Sequence, residues 1–166
     1  MSKKIRKIEN DADIVKIVDL AKIIWIEHYK DILGEDQVKF ILERQQSFDS
    51  IKNQIKDKGH VYFGIFLKEK LAGYMSIIYE MNSIHLSKIY ILKSFRGNNI
   101  GTFALNFIKD ICVKYNKDKI KLIVHEDNPT IRFYKKLGFR FVKKSVKDYG
   151  NGKEMKIFNF EKIIRQ

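Results

Sequence analysis

Arg96-Gly97-Asn98-Asn99-Ile100-Gly101-Thr102 follows an apolar run, Ile84 to Leu92, and opens a helical pattern carried by Ile100, Ala104, Leu105, Ile108, Ile111 and Cys112. A loop of glycine and turn-tolerant asparagine between a strand and a helix can aim successive backbone N–H groups inward. The helix adds its unpaired first-turn donors and the positive end of its dipole at the same point. The combination is an anion cradle, and a pyrophosphate is the expected guest. Taken alone, the loop also reads as an ordinary turn before a surface helix. Its surroundings bear on the fold as well, because strand, cradle, helix and the next apolar strand, Ile120 to Val124, form a parallel crossover unit.

Upstream, Ile5 to Ile8 reads as a first strand, after which Asp11 or Asp13 caps a helix with apolar positions Ile14, Ile17, Val18, Ala21, Ile24, Trp25 and His28. A second helical region spans about Asp36 to Lys58, with a break near Ser47 and a new cap at Ser47 or Asp49. Val61 to Leu67, Leu71 to Tyr79 and Ile84 to Leu92 then form an antiparallel meander. Downstream, Ile120 to Val124 reads as a strand buried on both faces. Asn128 is placed as the N-cap of a short helix with Pro129 in its first position and Gly138 just past its end. Phe139 to Val146 and Met155 to Phe160 close the chain as a hairpin around Tyr149-Gly150-Asn151-Gly152. The expectation is an α/β (α+β) domain: a mixed, mostly antiparallel sheet of six to seven strands flanked by about four helices.

The chain has 166 residues, 45% of them hydrophobic, and one proline, so it can bury a core and offers no linker. We expect a single domain over residues 1–166. The lone cysteine, Cys112, excludes an internal disulfide and sits at helical spacing with Ile108 and Ile111, which makes it a core residue before it is a reactive thiol. With no apolar run of spanning length and no apolar segment behind the basic start, the expected location is cytoplasmic, away from the membrane. The net charge of +13 is unevenly spread: residues 1–60 hold 12 Lys/Arg against 11 Asp/Glu, and residues 61–166 hold 21 against 9. The basic field therefore lies with the cradle, where it favours an anionic nucleotide. Charge alone would admit nucleic acid, but there is no zinc spacing, RNP-like aromatic motif or dense basic block. His28, His60 and His125 show no ligand spacing, so no metal is expected.

A second motif changes the weight of the first. Asn128-Pro129-Thr130-Ile131-Arg132-Phe133-Tyr134-Lys135-Lys136-Leu137-Gly138-Phe139 follows the cradle by some thirty residues. Together the pair resembles the GNAT N-acetyltransferases, whose loop runs Gln or Arg, two residues, Gly, one residue, Gly or Ala, and whose later helix is led by Asn and ends in Phe-Tyr and Gly-Phe. The resemblance covers about residues 61 to 160. One position departs from it: Asn99 stands where the family has the first loop glycine. Asparagine is the side chain that best tolerates positive φ, so the loop can still close.

The resemblance implies an acetyl-CoA-binding core over residues 61–166, with residues 1–60 as acceptor-side helices. Acetyl-CoA would place its pyrophosphate on the amides of Gly97, Asn98, Asn99, Ile100, Gly101 and Thr102, and its pantetheine arm along Ile91, Leu92 and Lys93 like an added strand. Asn128 and Phe133 would line the arm. Asn128 also reads as nothing more than a cap. Tyr134 would be the general acid that protonates the departing thiolate; without the motif it reads as a core aromatic. The implied reaction is direct attack by a substrate amine, with no acyl-enzyme. A base must take the amine's proton, and Ile84 to Leu92 carries no Asp or Glu. Glu80 and His85 are the nearest candidates, although both also read as solvated hairpin residues.

Acceptor choice is expected from the N-terminal helices and the last hairpin. Trp25 and Tyr29 followed by Glu35-Asp36-Gln37, with a late Gly150-Asn151-Gly152 turn, look like bacterial PaiA-type spermidine/spermine acetyltransferases. Glu27, Asp31, Glu35 and Asp36 could form an acidic wall for a polyamine, or simply decorate a solvated face. A peptide or protein amine, an amino acid or an aminoglycoside remain open as acceptors. So does a non-catalytic CoA- or nucleic-acid-binding module, and so does a homodimer through the last strands.

Overall fold

The computed structural model describes residues 2–164. Asn10, rather than Asp11 or Asp13, caps the first helix by accepting the Asp13 N–H at 2.9 Å. The helix, α1 (Asp11–Leu33), buries Ile14, Ile17, Leu20, Ala21, Ile24, Trp25 and Tyr29, so its apolar face is turned slightly from the expected one and leaves Val18 and His28 half-buried. Gly34, at φ +85°, ends α1 and starts α2 (Glu35–Gln45). The expected break near Ser47 is complete: Ser47 Oγ accepts the Ser50 N–H at 3.2 Å and caps a separate helix, α3 (Phe48–Asp57). This raises the helix count from four to five among the described residues. The strands are β1 (Lys3–Lys7), β2 (His60–Leu67), β3 (Lys70–Tyr79), β4 (Ser83–Ile91), β5 (Lys119–His125), β6 (Arg140–Asp148) and β7 (Glu154–Ile163). Two further helices, α4 (Ile100–Lys114) and α5 (Ile131–Lys136), flank β5 in the sequence.

One seven-stranded sheet runs β1-β2-β3-β4-β5-β7-β6. The β1–β2, β2–β3, β5–β7 and β6–β7 ladders are antiparallel, while β4 and β5 run parallel from Ser83 opposite Lys119 to Leu86 opposite Leu122. The mixed, mostly antiparallel α/β architecture is therefore as the sequence implies. By packing, the chain forms two compact units. The first runs through Ile78 and takes in Lys88–Leu105; the second comprises Tyr79–Ser87 and the residues from Asn106 onward.

In the first unit, Ile17, Ile24, Ile41, Ile51, Ile65, Met75 and Ile77 are almost wholly buried, each worth roughly 2 kcal/mol in surface withdrawn from water. A polar cluster lies inside this apolar packing. Lys88, read from sequence as part of an apolar run, is buried, and its Nζ donates to Gln54 Oε1 at 2.6 Å, to Gln45 O at 3.2 Å and to the Tyr62 hydroxyl. Tyr74 in turn donates to Gln46 Oε1 at 2.9 Å. These bonds tie β2, β3 and β4 to the α2–α3 junction, because a buried polar group is stable only when its hydrogen bonds are made.

In the second unit, β5 corrects the expected double burial: Ile120, Leu122 and Val124 are buried, whereas Lys121 and Ile123 on the other face are only half-covered. The period of two belongs to a sheet with one dry face, and the Lys121 ammonium on the other face stays half-exposed beside the Glu80 carboxylate. Cys112 is fully buried and free, as a core residue should be, and burial pushes its thiol up to about 11. The last hairpin turns on Asp148, whose Oδ1 accepts the N–H groups of Gly150 and Gly152 at 2.7 and 3.2 Å.

Candidate active site

The cradle belongs to the first unit. Lys93–Phe95 form one 3-10 turn, in which Phe95 donates to Leu92 O at 2.9 Å and Arg96 to Lys93 O at 3.1 Å. Gly97 at φ +84° and Asn99 at φ +57° then reverse the chain into α4. No atom lies within 4 Å of a Cβ built on Gly97, so the glycine answers a backbone requirement rather than a lack of space. Asn98 Nδ2 braces the turn by donating to Phe95 O at 3.0 Å. The Asn99 carbonyl accepts the Phe103 N–H at 3.0 Å, the first bond of the helix. The amides of Ile100, Gly101 and Thr102 thus fall in the first turn, where no helical carbonyl is available to them. Asn99 takes the left-handed conformation that its substitution for glycine requires. The Asn99→Gly variant should bind acetyl-CoA roughly threefold more tightly, or about 0.6 kcal/mol, because glycine adopts this φ without steric cost. Calorimetric titration checks this, and weaker binding would mean that the Asn99 side chain itself holds the ligand.

The strand end leading into the cradle is already engaged. Leu92 N–H donates to Ala72 O on β3 at 2.8 Å. Lys93 N–H donates to Glu27 Oε2 of α1 at 2.6 Å, and Ile91 O accepts from Arg96 Nε at 3.2 Å. Arg96 Nη2 also meets His28 Nδ1 at 3.3 Å. Of the four acids considered as a wall, Glu27 is therefore bound to a backbone amide and Glu35 pairs with Lys39 at 3.6 Å; Asp31 and Asp36 are exposed. Beside this strand end, Trp25 stacks on Tyr29 at 4.3 Å and meets Tyr90 edge-on at 5.4 Å. The engagements of Glu27 with Lys93, of Arg96 with His28 and of Lys88 are not visible in the local pattern, since each joins residues distant in sequence or hides a charge in a strand.

The second unit carries Tyr134 on α5. Asn128 does not cap α5 itself, as its sequence position suggests. Its Oδ1 accepts both the N–H and the Oγ1–H of Thr130, at 2.9 and 2.7 Å, closing a turn that holds Pro129, and the helix starts only at Ile131. The far end is a Schellman stop: Gly138, at φ +92°, donates to Lys135 O at 3.1 Å, and Phe139 donates to Tyr134 O at 3.0 Å. The stop packs the Phe139 ring against that of Tyr134 at 5.6 Å, with Phe133 on another side at 5.5 Å. Tyr134 is buried, and burial pushes its phenol well above the ordinary range. Its hydroxyl makes no hydrogen bond among the described residues.

Glu80 and His85 also lie in the second unit. Glu80 follows β3, where its carboxylate pairs with Lys121 Nζ at 3.3 Å and its N–H donates to Ser83 O. His85 is half-buried on β4, opposite Lys121. Burial holds its imidazolium below the usual value of 6.5; Glu80 opposes the shift, and Lys121 and Lys147 add to it. His85 is thus more readily neutral than a free imidazole, as a proton acceptor must be. The same shift links to stability. The unfolded chain binds the proton more readily, so stability is full above pH 6.5 and is lost as pH falls from 6.5 through the lower folded value. Denaturant unfolding at pH 7.5 and 5.5 should show a smaller acid loss in His85→Gln than in the wild type. Equal losses would sink this assignment.

The model of the acetyltransferase (GNAT) family matches residues 18–139, and the chain belongs to that family. It is an acetyl-CoA-dependent N-acetyltransferase. An uncharacterised N-acetyltransferase of Lactobacillus delbrueckii subsp. lactis is 22% identical over 78% of this chain and 80% of its own length. Among solved structures, the PaiA N-acetyltransferase of Thermoplasma acidophilum in complex with coenzyme A has the same fold, with TM-score 0.79, 23% identity and coverage of 98% and 99% of the two chains. A chimeric spermidine N-acetyltransferase SpeG of Vibrio cholerae matches with TM-score 0.72 and 20% identity over 99% of this chain and 96% of that one. Among the described residues no helix is long and apolar enough to cross a membrane, and no group of three or more His, Cys, Asp or Glu could hold a metal ion.

Proposed function

We propose that the chain transfers acetyl from acetyl-CoA to a primary amine by direct attack in a ternary complex, and that the amine is a polyamine of the spermidine class. The observation that carries the cofactor half is the left-handed pair Gly97 and Asn99, which delivers the chain into the first-turn amides of α4 as a pyrophosphate site requires. The pantetheine arm would take Ile91 O and Lys93 N–H as its partners; Leu92 N–H is spent on β3. Tyr134 would give its proton to the departing thiolate, and His85, whose protonation burial disfavours, is the better candidate of the two for receiving the amine's proton, since Glu80 is committed to Lys121. Residues 1–60 would choose the acceptor. The polyamine reading is supported by the SpeG neighbour's spermidine activity and by the acids of α1 and α2, of which Asp31 and Asp36 face solvent.

The test is thiol release from acetyl-CoA with spermidine, spermine, small diamines, lysine peptides and amino acids offered in parallel at fixed salt. Turnover confined to polyamines supports the whole reading. Turnover with peptides or amino acids alone would keep the chemistry and reject the acceptor. Acetyl-CoA binding with no release from any amine would reject the catalytic assignment.

A further inference from the structure

The two backbone groups at the end of β4 that point to a cofactor track are held by charged side chains. Glu27, 66 residues before Lys93 in sequence, reaches from α1 to accept its N–H at 2.6 Å, and Arg96 covers Ile91 O at 3.2 Å. Free strand-end groups need partners, and solvent-exposed charged side chains are the partners easiest to exchange, because water receives them when they leave. Both Glu27 and Arg96 are exposed. A carboxylate on a peptide N–H also has the same donor–acceptor chemistry as an amide carbonyl on that N–H, which is what a pantetheine arm presents.

We propose that Glu27 occupies the Lys93 amide in place of the cofactor, so that acetyl-CoA binding displaces its carboxylate and makes it available to an ammonium group of the acceptor. This rests on the reading of Ile91 to Lys93 as the pantetheine edge. Its consequence is order. Before the cofactor arrives, the Glu27 charge is spent on a backbone donor; afterwards it is a carboxylate without that bond, and the most favourable replacement is a cation. Coupling of this kind is reciprocal, so an amine that binds Glu27 strengthens cofactor binding by the factor by which the cofactor strengthens amine binding.

Calorimetric titration with acetyl-CoA tests the competition. Glu27→Ala removes the competitor and should tighten acetyl-CoA by roughly three- to tenfold, the scale of one charge-assisted hydrogen bond after hydration of the freed group. If Glu27 merely props the strand end, the same variant binds more weakly, and the proposal is overturned. Lys93→Pro deletes the contested N–H, and the backbone accepts it: Leu92 at φ −57°, ψ 133° has the extended conformation required before proline, and residue 93 opens a helical turn. Lys93→Ala controls for the side chain. Relative to that control, Lys93→Pro should weaken acetyl-CoA binding, and in the Lys93→Pro background Glu27→Ala should have no further effect. Equal affinity of Lys93→Pro and Lys93→Ala would reject the edge reading itself. Weakening by Lys93→Pro without tightening by Glu27→Ala would reject the competition alone. For the acceptor half, spermidine titrated into protein loaded with coenzyme A should bind at least about fivefold more tightly than into free protein, and Glu27→Gln should abolish the difference. Spermidine binding that ignores coenzyme A, or a coupling that survives in Glu27→Gln, would overturn this half.

Discussion

Tyr134→Phe is expected to lower kcat by roughly 10²-fold or more while leaving the acetyl-CoA dissociation constant within about twofold. The substitution keeps the ring, and with it the contacts to Phe133 and Phe139 and the Schellman stop that fixes the backbone. It removes only an O–H that makes no hydrogen bond among the described residues, so no protein group is left unsatisfied. A loss of turnover without a loss of melting temperature therefore reports chemistry. Burial raises the phenol pKa, which makes it a weaker acid, and a thiolate departing into equally dry surroundings would have its proton affinity raised as well. Proton donation from Tyr134 would then pass between groups whose affinities rise together, and the phenol stays protonated until the thiolate departs. An unchanged kcat in Tyr134→Phe would remove the residue from the mechanism.

Gly73→Ala is expected to be the most disruptive single-methyl change in the first unit. A Cβ on Gly73 would stand 2.4 Å from Tyr90 O and 3.1 Å from Ile91 Cα. Both are backbone atoms of β4 at the proposed cofactor edge, and neither can rotate away. The strand must shift, at a cost of about 3 kcal/mol or more, equivalent to a fall of roughly 6–12 °C in Tm for a chain of this size. Acetyl-CoA affinity should fall with it. Gly64→Ala on the neighbouring strand is the control: its Cβ meets the Phe66 ring at 2.9 Å and Leu71 Cδ1 at 3.2 Å, which are side-chain atoms able to give. If the two variants match in Tm and in affinity, the Gly73 contact is not what sets the strand end.

Gly73 also illustrates what a local pattern leaves unseen. In the sequence it is one glycine inside an apolar strand, and only the approach of β4 reveals why a side chain is excluded there. Asn99 is the opposite case. Its residue type and place between strand and helix implied positive φ, and it adopts φ +57°, because that requirement lies within one residue's backbone. The buried face of α4 was legible for a similar reason: Ile100, Ala104, Leu105, Ile108, Ile111 and Cys112 are all buried, and helical periodicity is local. Asn128 was half legible. Its polar oxygen does satisfy nearby donors, but those of a turn rather than of the helix, a choice between geometries only two residues apart. Lys88 passed unnoticed inside an apolar run, because its burial depends on Gln45, Gln54 and Tyr62 meeting it from other elements.

The sequence by itself determined the order of elements, the left-handed loop before α4, the motif pair that marks the acetyltransferase family and the stop that ends α5 at Gly138. All of these arise from interactions within a few residues, where φ preference, side-chain period and capping act directly. Tertiary structure decided which charges are spent and which are available: Glu27 on the Lys93 amide, Arg96 beside His28, Glu80 on Lys121, Lys88 inside the core. The energy of a charge depends on its distance to partners and on the water it loses, and both are set only when segments far apart in the chain are brought together.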